Sequence, residues 1–317
     1  YLVSGELQVP AGKTLSLDAG VVFKFQSNAY LHLYGTLLAK GSDEDKIYFT
    51  SAKDDELLGD SNGDGASVGT PGFWKGVLVE SSGVATLSQG VIRYAGYDSW
   101  TLYNRGMITV SDSLITQGKG NGIYHESGRS SITHSVISAF DANGIVYSNV
   151  GSGVALLADS TISNNKSSGI YSSGSRPTLQ GNTITGNGSY GVNFVDSTYG
   201  VAMTGNTLTG NNYPLAIAMG AMPDSSNTLL PNKVNRVLLH GDTINGLVRL
   251  PSLQNESQRL NHYVIDGDIA VSQTGQLMRD AGLVLKMSGN RQFTVDGIFT
   301  ALGQETQPIL FTSFKDD

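Results

Sequence analysis

The phrase "QGNTITGN" at residues 180–187 decides the fold, because variants of it recur through the middle of the chain. An aliphatic residue flanked by small or β-branched residues, with Gly or Asn close behind, is typical of a short strand that ends in a turn. The spacings between its central residues are 22, 25, 22, 24 and 36. These central residues are Ile115, Ile137, Ile162, Ile184, Leu208 and Ile244.

A second phrase, "SSGIYSSG" in one version, keeps step with the first and centres on Ile123, Ile145, Ile170 and Val192. Two short strand-like segments in each period of about 22 residues leave no room for a helix. The sequence therefore predicts an all-β parallel β-helix whose coils stack about 4.8 Å apart. A β-sandwich or a propeller fits less well, because their repeats are shorter or longer than this one. The aliphatic residues should form buried columns, and Asn165, Asn187 and Asn211 a hydrogen-bonded ladder at the turns.

Composition limits the partners. At 317 residues the chain is long for one compact core, which favours two domains or an elongated architecture. The net charge of −7 is spread along the chain without a Lys/Arg cluster, which argues against nucleic acid as a partner. Its apolar runs are too short to insert into a membrane. The absence of cysteine excludes disulfides, thiolate catalysis and Cys-ligated zinc.

Several stretches resemble the right-handed parallel β-helix repeat proteins of bacterial secretions and cell surfaces, in the pectate-lyase-like superfamily. They are "GELQVPAGKTLSLDAGVVFKF", "LYGTLLAKGSDEDKIYFTS" and "PGFWKGV" near the start of the chain, and "GNTITGN" in the middle. The resemblance implies the fold and an extracellular or cell-surface location. It does not imply one activity, because this scaffold carries lyases, hydrolases, adhesins and stalks.

The end of the chain repeats its beginning. At an offset of 262, residues 1–55 and 263–317 share 20 identities without a gap, including "FTSAKDD" against "FTSFKDD". We therefore expect one β-helix module over 1–262 and the start of a second copy over 263–317, hence tandem copies in a longer chain. The segment from 220 to 262 breaks the coil period and is interpreted as a junction or insertion.

An acidic loop near 51–72 contains "DSNGDG", in which Asp60, Asn62 and Asp64 alternate as the ligands of a calcium loop do. Pro71 stands where an EF-hand has its bidentate Glu, and no helix pattern flanks the loop, so this is not an EF-hand. Alternating oxygens also bind Ca²⁺ in non-helical loops, with Asp54 or Asp55 as further ligands. The other interpretation is a solvated turn rich in Asp and Asn. We predict a structural Ca²⁺ site.

No catalytic motif is visible. The strings of the polygalacturonase-like enzymes are absent, and Arg93 and the acidic residues of the coil faces are scattered. The five histidines share no column, and His125 and His134 are expected to be hydrogen-bonded surface or turn residues rather than catalysts.

Two surface features suit ligands. Tyr124 and Tyr171 fall in an outward column that could stack on sugar rings, with Arg93 of a coil face as a further candidate ligand contact. The other interpretation is isolated surface tyrosines, which are common. Rows of Thr-x-Thr at 183–185 and 207–209 admit ice binding as a remote alternative, although strand propensity alone explains them.

The function predicted from the sequence is a structural or adhesive module that contacts polysaccharide or another cell's surface. The alternative is a carbohydrate-active β-helix that binds or cleaves polysaccharide. A face lined with acids, an Arg and aromatic residues would favour this alternative, whereas a smooth face with only ladders would favour a stalk.

Overall fold

The fold was established from a computed structural model, which describes residues 1–149, 155–195, 202–219, 223, 225–251, 253–255, 258–260 and 262–316. Every named element is a short strand, and no α-helix occurs among the described residues. In particular, none of the described segments is a helix that could cross a membrane. The all-β prediction is confirmed.

Strands in the first part of the chain are β1 (Leu2–Val3), β2 (Glu6–Val9), β3 (Thr14–Leu17), β4 (Val22–Phe25), β5 (Tyr30–Leu33), β6 (Thr36–Lys40), β7 (Ile47–Ser51), β8 (Gly76–Val79), β9 (Val84–Ser88), β10 (Gly90–Arg93), β11 (Trp100–Asn104), β12 (Met107–Ser111) and β13 (Leu114–Thr116). The middle contains β14 (Asn121–His125), β15 (Arg129–Thr133), β16 (Val136–Ser138), β17 (Ile145–Ser148), β18 (Ala155–Ala158), β19 (Thr161–Ser163), β20 (Ile170–Ser173), β21 (Thr178–Gln180), β22 (Thr183–Thr185), β23 (Tyr190–Phe194), β24 (Ala202–Thr204), β25 (Thr207–Thr209) and β26 (Tyr213–Ala218). The last part contains β27 (Val237–His240), β28 (Asp242–Ile244), β29 (Leu247–Leu250), β30 (Leu253–Asn255), β31 (Gln258–Leu260), β32 (His262–Ile265), β33 (Ile269–Val271), β34 (Gln276–Arg279), β35 (Val284–Met287), β36 (Phe293–Val295), β37 (Ile298–Ala301) and β38 (Leu310–Ser313).

From β1 to β26 every third strand pairs in parallel, so this part of the chain winds as a coil with three long faces. Sheet A has nine strands from β1 to β25, and sheet C has eight from β3 to β24. Sheet B has 13 strands and continues from β2 to β38. Two three-stranded sheets, β28-β33-β36 and β29-β34-β37, accompany sheet B at the far end. This topology is the predicted parallel β-helix.

The predicted core columns are present. Ile115, Ile137, Ile162, Ile184 and Leu208 pair in register along sheet A, and each is fully buried. The second phrase forms the matching column of sheet B, from Ile123 to Val192. Ile244 is also buried, but it lies in β28, which pairs with β33 rather than with sheet A. The irregular spacing of 36 before Ile244 marks this change of sheet.

The predicted asparagine ladder is confirmed and extends further. In Asn165, Asn187 and Asn211, each backbone N–H donates to the Oδ1 of the ladder residue one coil further on, at 2.9–3.2 Å. Phe140 begins this ladder by donating its N–H to Asn165 Oδ1 at 3.1 Å. Residues just before these positions turn the corner in the left-handed region, at φ 60 for Ala139 and 56 for Asn164.

A second ladder, which we did not predict, lines the corner between sheets C and A. The backbone N–H of each member donates to the side-chain oxygen of the next member. Its members are Ser113, Ser135, Ser160, Asn182, Asn206 and Asn227. All six are nearly or fully buried, so each side chain satisfies a backbone donor that is shielded from water.

Close packing explains why glycine directly precedes the inward isoleucine in the second phrase, as at Gly144 and Gly169. A Cβ on Gly144 would lie 2.7 Å from Ile162 Cγ2 and 2.8 Å from Asn165 Nδ2, and Gly169 meets the equivalent atoms one coil on at the same distances. Such contacts are too short for any side chain, so the sheet B column and the asparagine ladder fit together only with glycine here.

The coil pattern changes over the described residues between 225 and 262. Sheets A and C end at β25 and β24, and β30 and β31 form an antiparallel hairpin. Beyond it, strand registers recur at the offset of 262: Lys24 pairs with Thr50, and Lys286 with Thr312. Sheet A carries the first pair and sheet B the second. The boundaries at 262 and the tandem copies stay predictions.

We expect Asn187→Ala to lower the free energy of unfolding by about 2–4 kcal/mol, because it leaves two donors of Asn165 without acceptors in a buried corner. Asn187 also donates to Asn211 Oδ1 at 2.8 Å and to Ile162 O at 3.2 Å. The measurement is the urea midpoint and the melting temperature. The matched control is Asn212→Ala, a half-buried residue directly after the ladder residue Asn211. Equal shifts for the two variants would contradict a stabilising role of the ladder.

Candidate functional site

The outward face of sheet B carries two adjacent columns of side chains. Strand pairing aligns the first, which we call the tyrosine column: His32, Leu78, Tyr103, Tyr124, Val146, Tyr171 and Asn193. Two residues later, at the position directly after each strand, lies the charged column, which consists of Tyr34, Glu80, Arg105 and Glu126. Because side chains alternate along a strand, both columns project to the same side.

Opposite charges alternate along the charged column. Arg105 Nε donates to Glu126 Oε2 at 2.6 Å, and Arg105 Nη1 lies 3.5 Å from Glu80 Oε2. These hydrogen bonds from Arg105, and then one from Tyr103, lower the pKa of Glu126, whereas the same carboxylate raises the pKa of Arg105. The side chains of Arg105 and Glu126 are 41% and 40% exposed, so both retain polar atoms that face solvent. The pair is therefore fixed in place yet accessible to a ligand.

His32 continues this network towards the start of the chain. Its Nδ1 lies 2.7 Å from Glu6 Oε1 and its Nε2 lies 3.1 Å from Glu80 Oε1. Both contacts are donations only when both ring nitrogens carry a proton. The hydrogen bond from His32 is the largest cause that lowers the pKa of Glu6. Side chains from five strands or strand ends, from Glu6 to Glu126, thus form one connected polar network.

Aromatic rings lie beside the charges. Tyr103 and Tyr124 stack with centroids 5.1 Å apart and planes 7° from parallel. Arg105 covers the ring of Tyr103 at 4.9 Å, and Trp100 meets its edge at 5.2 Å. Burial, followed by the hydrogen bond to Glu126, raises the pKa of Tyr103, so its hydroxyl stays protonated at neutral pH. Beyond Tyr124 the column steps down to the buried Val146 and rises again at Tyr171, about 9.6 Å from Tyr124 by the strand spacing.

Arg93 and Asp54, which the sequence predicted as a ligand contact and a calcium ligand, form an ion pair with each other. Arg93 binds Asp54 through Nε–Oδ2 at 2.7 Å and Nη2–Oδ1 at 2.8 Å. Asp54 is fully buried and also accepts from the hydroxyl of Thr50. Asp54 is thus satisfied without a metal, and Arg93 lies at the acidic loop rather than on sheet B. The geometry does not favour Asp54 as a calcium ligand or Arg93 as a contact for a sugar.

The other acidic residues do converge. One carboxylate oxygen from each of Asp55, Asp60 and Asp64 lies within 4.8 Å of the others. Asp60 accepts from the N–H groups of Gly63 at 2.7 Å and Gly65 at 2.9 Å, and these bonds, that from Gly65 most, lower its pKa.

Of the remaining contacts in this loop, one favours the binding of a cation and others oppose it. Asp55 Oδ1 is buried without a hydrogen-bond partner, an acceptor to which a cation could bind. Lys53 lies 3.4 Å from Asp64 and already neutralises part of the charge. Asn62 Oδ1 accepts from the N–H of Asp64 at 3.4 Å.

His125 does not lie at the surface or in a turn, so that expectation was wrong. It is fully buried inside the coil, where Asn104 Nδ2 lies 2.8 Å from its Nδ1 and the ring of Tyr147 lies 5.8 Å away. Burial lowers the pKa of His125 to about 4 and raises that of Tyr147. His134 is exposed at a corner with φ 48, as expected.

Sequence reasoning placed Tyr124 and Tyr171 correctly in one outward column, but it missed the residues that give this column its chemistry. Tyr103 belongs to a coil, "WTLYNRG", that lacks the glycine-isoleucine phrase. Glu80, Arg105 and Glu126 are separated by 25 and 21 residues, so only the strand register reveals them as neighbours. A search for charged residues at a fixed distance after each inward aliphatic residue would have found them.

The architecture is a solenoid of parallel coils in which the outward face of sheet B carries aromatic and charged side chains. The chain belongs to the family described as the right-handed β-helix region, whose model matches residues 75–234. Among solved structures, the crystal structure of Dettilon tailspike protein (gp208) is similar, with 12% sequence identity and a TM-score of 0.40. The match covers 99% of this chain and 62% of that one, so the chain spans less than two thirds of its length. A comparison with curated proteins returned no match.

His125 makes stability depend on pH. Its pKa is about 4 in the folded chain and near 6.5 in the unfolded chain, so the unfolded state binds the extra proton between these values. The neutral, buried His125 makes its full contribution to the free energy of unfolding above pH 6.5. As the pH falls towards 4, the free energy of unfolding decreases by about 3 kcal/mol in all. Urea unfolding across this range measures the slope. We expect His125→Gln to flatten the slope and the exposed control His134→Gln to preserve it. A wild-type slope that His125→Gln leaves unchanged would refute the assignment.

Proposed function

We propose that the chain is a rigid structural and adhesive β-helix module, extracellular or at the cell surface, which binds polysaccharide on the outward face of sheet B. The observation that carries this proposal is the network of Glu80, Arg105 and Glu126 beside the stacked rings of Tyr103 and Tyr124. Acids, an arginine and aromatic residues on one face are the features that favour a carbohydrate-active β-helix over a plain stalk.

The chemistry of this face suits sugar rings. Sugars present hydroxyl groups at the ring edge and C–H groups at the ring faces, so they bind where fixed charged groups adjoin aromatic surfaces. A carboxylate and a guanidinium that already hold each other offer acceptors and donors in a fixed arrangement, which lowers the entropy cost of binding. The half-exposed side chains of Arg105 and Glu126 meet this requirement.

Binding is favoured over cleavage by the direction of the pKa shifts. A glycosidase needs a carboxylic acid with a raised pKa to protonate the leaving group. On this face, hydrogen bonds lower the pKa values of both Glu6 and Glu126. Ionised carboxylates of this kind suit acceptors for hydroxyl groups rather than proton donors.

We expect the protein to be retained by an immobilised polysaccharide when dextran, β-1,4-glucan, galactomannan, polygalacturonate and alginate are tested in parallel. Tyr124→Ala should weaken the strongest interaction by about 1–2 kcal/mol, a five- to thirtyfold rise in Kd, and Arg105→Ala by at least as much. Affinity electrophoresis measures both. Tyr48→Ala, on the outward face of sheet A, is the matched control. Release of reducing or unsaturated ends above the level of a boiled sample would show that the protein cleaves the polysaccharide rather than only binding it. Absence of any retention would refute the proposal.

We also propose that the acidic loop binds a structural Ca²⁺ through Asp55, Asp60 and Asp64, with Asn62 as a further oxygen ligand. Three converging carboxylates and the unpartnered Asp55 Oδ1 support this. The ion would neutralise like charges that otherwise repel one another. Lys24, which reaches from the core to donate to Gly59 O at 2.7 Å, links this loop to the coil.

Calcium should therefore raise the melting temperature and slow proteolysis of residues 55–70. A hundredfold excess over Kd corresponds to about 2.7 kcal/mol. Asp55→Asn combined with Asp60→Asn should abolish both effects. The control Asp43→Asn changes a carboxylate outside this loop, which accepts a hydrogen bond from Gln89, and it should retain both effects. If a chelator and added calcium leave the wild-type melting and cleavage unchanged, the loop is only a turn rich in Asp and Asn.

A further inference from the structure

A second aromatic cluster lies on the same sheet, towards the other end of the coil. Tyr190 and Tyr213 pair in register with ring centroids 5.3 Å apart. Arg236 lies over the ring of Phe314 at 5.8 Å. These four side chains enclose a depression of about 110 Å³ whose floor includes Leu238 and Val264. We call this group the distal cluster, and the group around Tyr103, Tyr124 and Arg105 the proximal cluster.

Polar groups adjoin the distal cluster as they adjoin the proximal one. His240 lies between Asp266 Oδ2, 3.2 Å from its Nδ1, and Asn193 Oδ1, 3.1 Å from its Nε2. Strand pairing of Ile217 with Leu239, and of Leu239 with Ile265, places His240 and Asp266 on the continuation of the charged column. Each cluster therefore combines a tyrosine pair, an arginine and a bridged histidine.

One aromatic side chain of the tyrosine column, Tyr171, lies between the clusters. The column runs there through Val146, Tyr171, Asn193 and Ala216. The charged column carries the small residues Ser148, Ser173 and Ala218 over the same strands. Three strand steps separate Tyr124 from Asn193, and four separate Tyr124 from the strand of Tyr213, which corresponds to about 14 and 19 Å. A chain that lies along the coil axis can therefore stack on Tyr171 between the clusters and pass over the small side chains of the charged column.

We infer that one linear, uncharged polysaccharide chain lies along sheet B and contacts both clusters at once. This inference rests on the proposed function and adds the class and orientation of the ligand. Charges on the face favour an uncharged chain, because the three carboxylates of Glu6, Glu80 and Glu126 exceed the two cations that His32 and Arg105 can supply. The protein also carries a net charge of −7, which repels polyanions. Two contacts on one chain raise affinity through effective concentration.

The test uses whichever of the uncharged polysaccharides dextran, β-1,4-glucan and galactomannan the protein retains best. This polysaccharide is cut into oligomers, which are then fractionated by length. Titration calorimetry should show Kd falling at least tenfold once oligomers exceed about 20 Å, the separation of the clusters by strand spacing. Tyr213→Ala should remove this gain and leave the affinity for short oligomers within twofold of wild type. Tyr124→Ala should weaken both. Tyr213→Phe keeps the ring, and it should retain the gain with an unchanged melting temperature.

The outcomes separate the two proposals. Retention of no polysaccharide at all sinks the proposed function and this inference together. Retention that Tyr124→Ala weakens, with equal affinity for short and long oligomers or no effect of Tyr213→Ala, leaves the proposed function standing and overturns the spanning chain. Tighter retention of polygalacturonate or alginate than of every uncharged polysaccharide overturns the uncharged class.

Discussion

The structure depends on how each coil satisfies its backbone at the corners. A sharp corner requires a residue with positive φ, such as Asp112 at 50° or Asn164 at 56°, and the N–H of the following residue is then buried away from its strand. An oxygen on the side chain of the next coil accepts that N–H in both ladders. A buried donor without an acceptor costs about 1–3 kcal/mol, and the requirement recurs in each coil that a ladder crosses. Only one register between coils meets it, so the ladders align the strands as well as the corners.

This alignment creates the functional face. Once adjacent coils are in register, a residue at a given place on sheet B lies directly beside its equivalent one coil away, and side chains more than 20 residues apart in sequence come within hydrogen-bond distance. The Tyr103–Tyr124 stack and the Arg105–Glu126 pair both arise in this way. Charged side chains on neighbouring strands must also alternate in sign, since like charges at the strand spacing repel.

The sequence predicted those features that repeat at the coil period, and it failed where one coil differs from its neighbours. Ile162 and Asn187 belong to phrases that recur almost unchanged, and both lie where they were expected. Ladder residues Ser113, Ser135 and Ser160 were missed because the residue type changes to Asn at position 182, although all share the place two before the inward aliphatic residue. His125 was misplaced for a simpler reason. It follows Ile123 by two residues on the same strand, so alternation alone puts both side chains inside.

The candidate sites show the same division. The spacing of Asp60 and Asp64 indicated oxygens that converge, but nothing in "AKDDE" distinguishes Asp54, which pairs with Arg93 from 39 residues away, from Asp55, which faces the loop. That choice depends on which carboxylate meets an arginine of a later coil. Contacts between coils of unequal length, as at Glu80 and Arg105, are likewise set by the loops that change the length, and composition does not reveal them.

Gly144 and Gly169 have a consequence for how such a chain changes over generations. Each glycine fits against the Asn side chain one coil further on, and each Asn accepts from the coil before it, so a coil is complete only together with its neighbours. A deletion of a few residues within a coil would displace the glycine from the asparagine and break two ladders at once. Removal or duplication of a whole coil leaves every remaining contact intact. Lineages of this protein should therefore vary in length by entire coils, with shorter insertions confined to loops such as 51–72 that leave the stack.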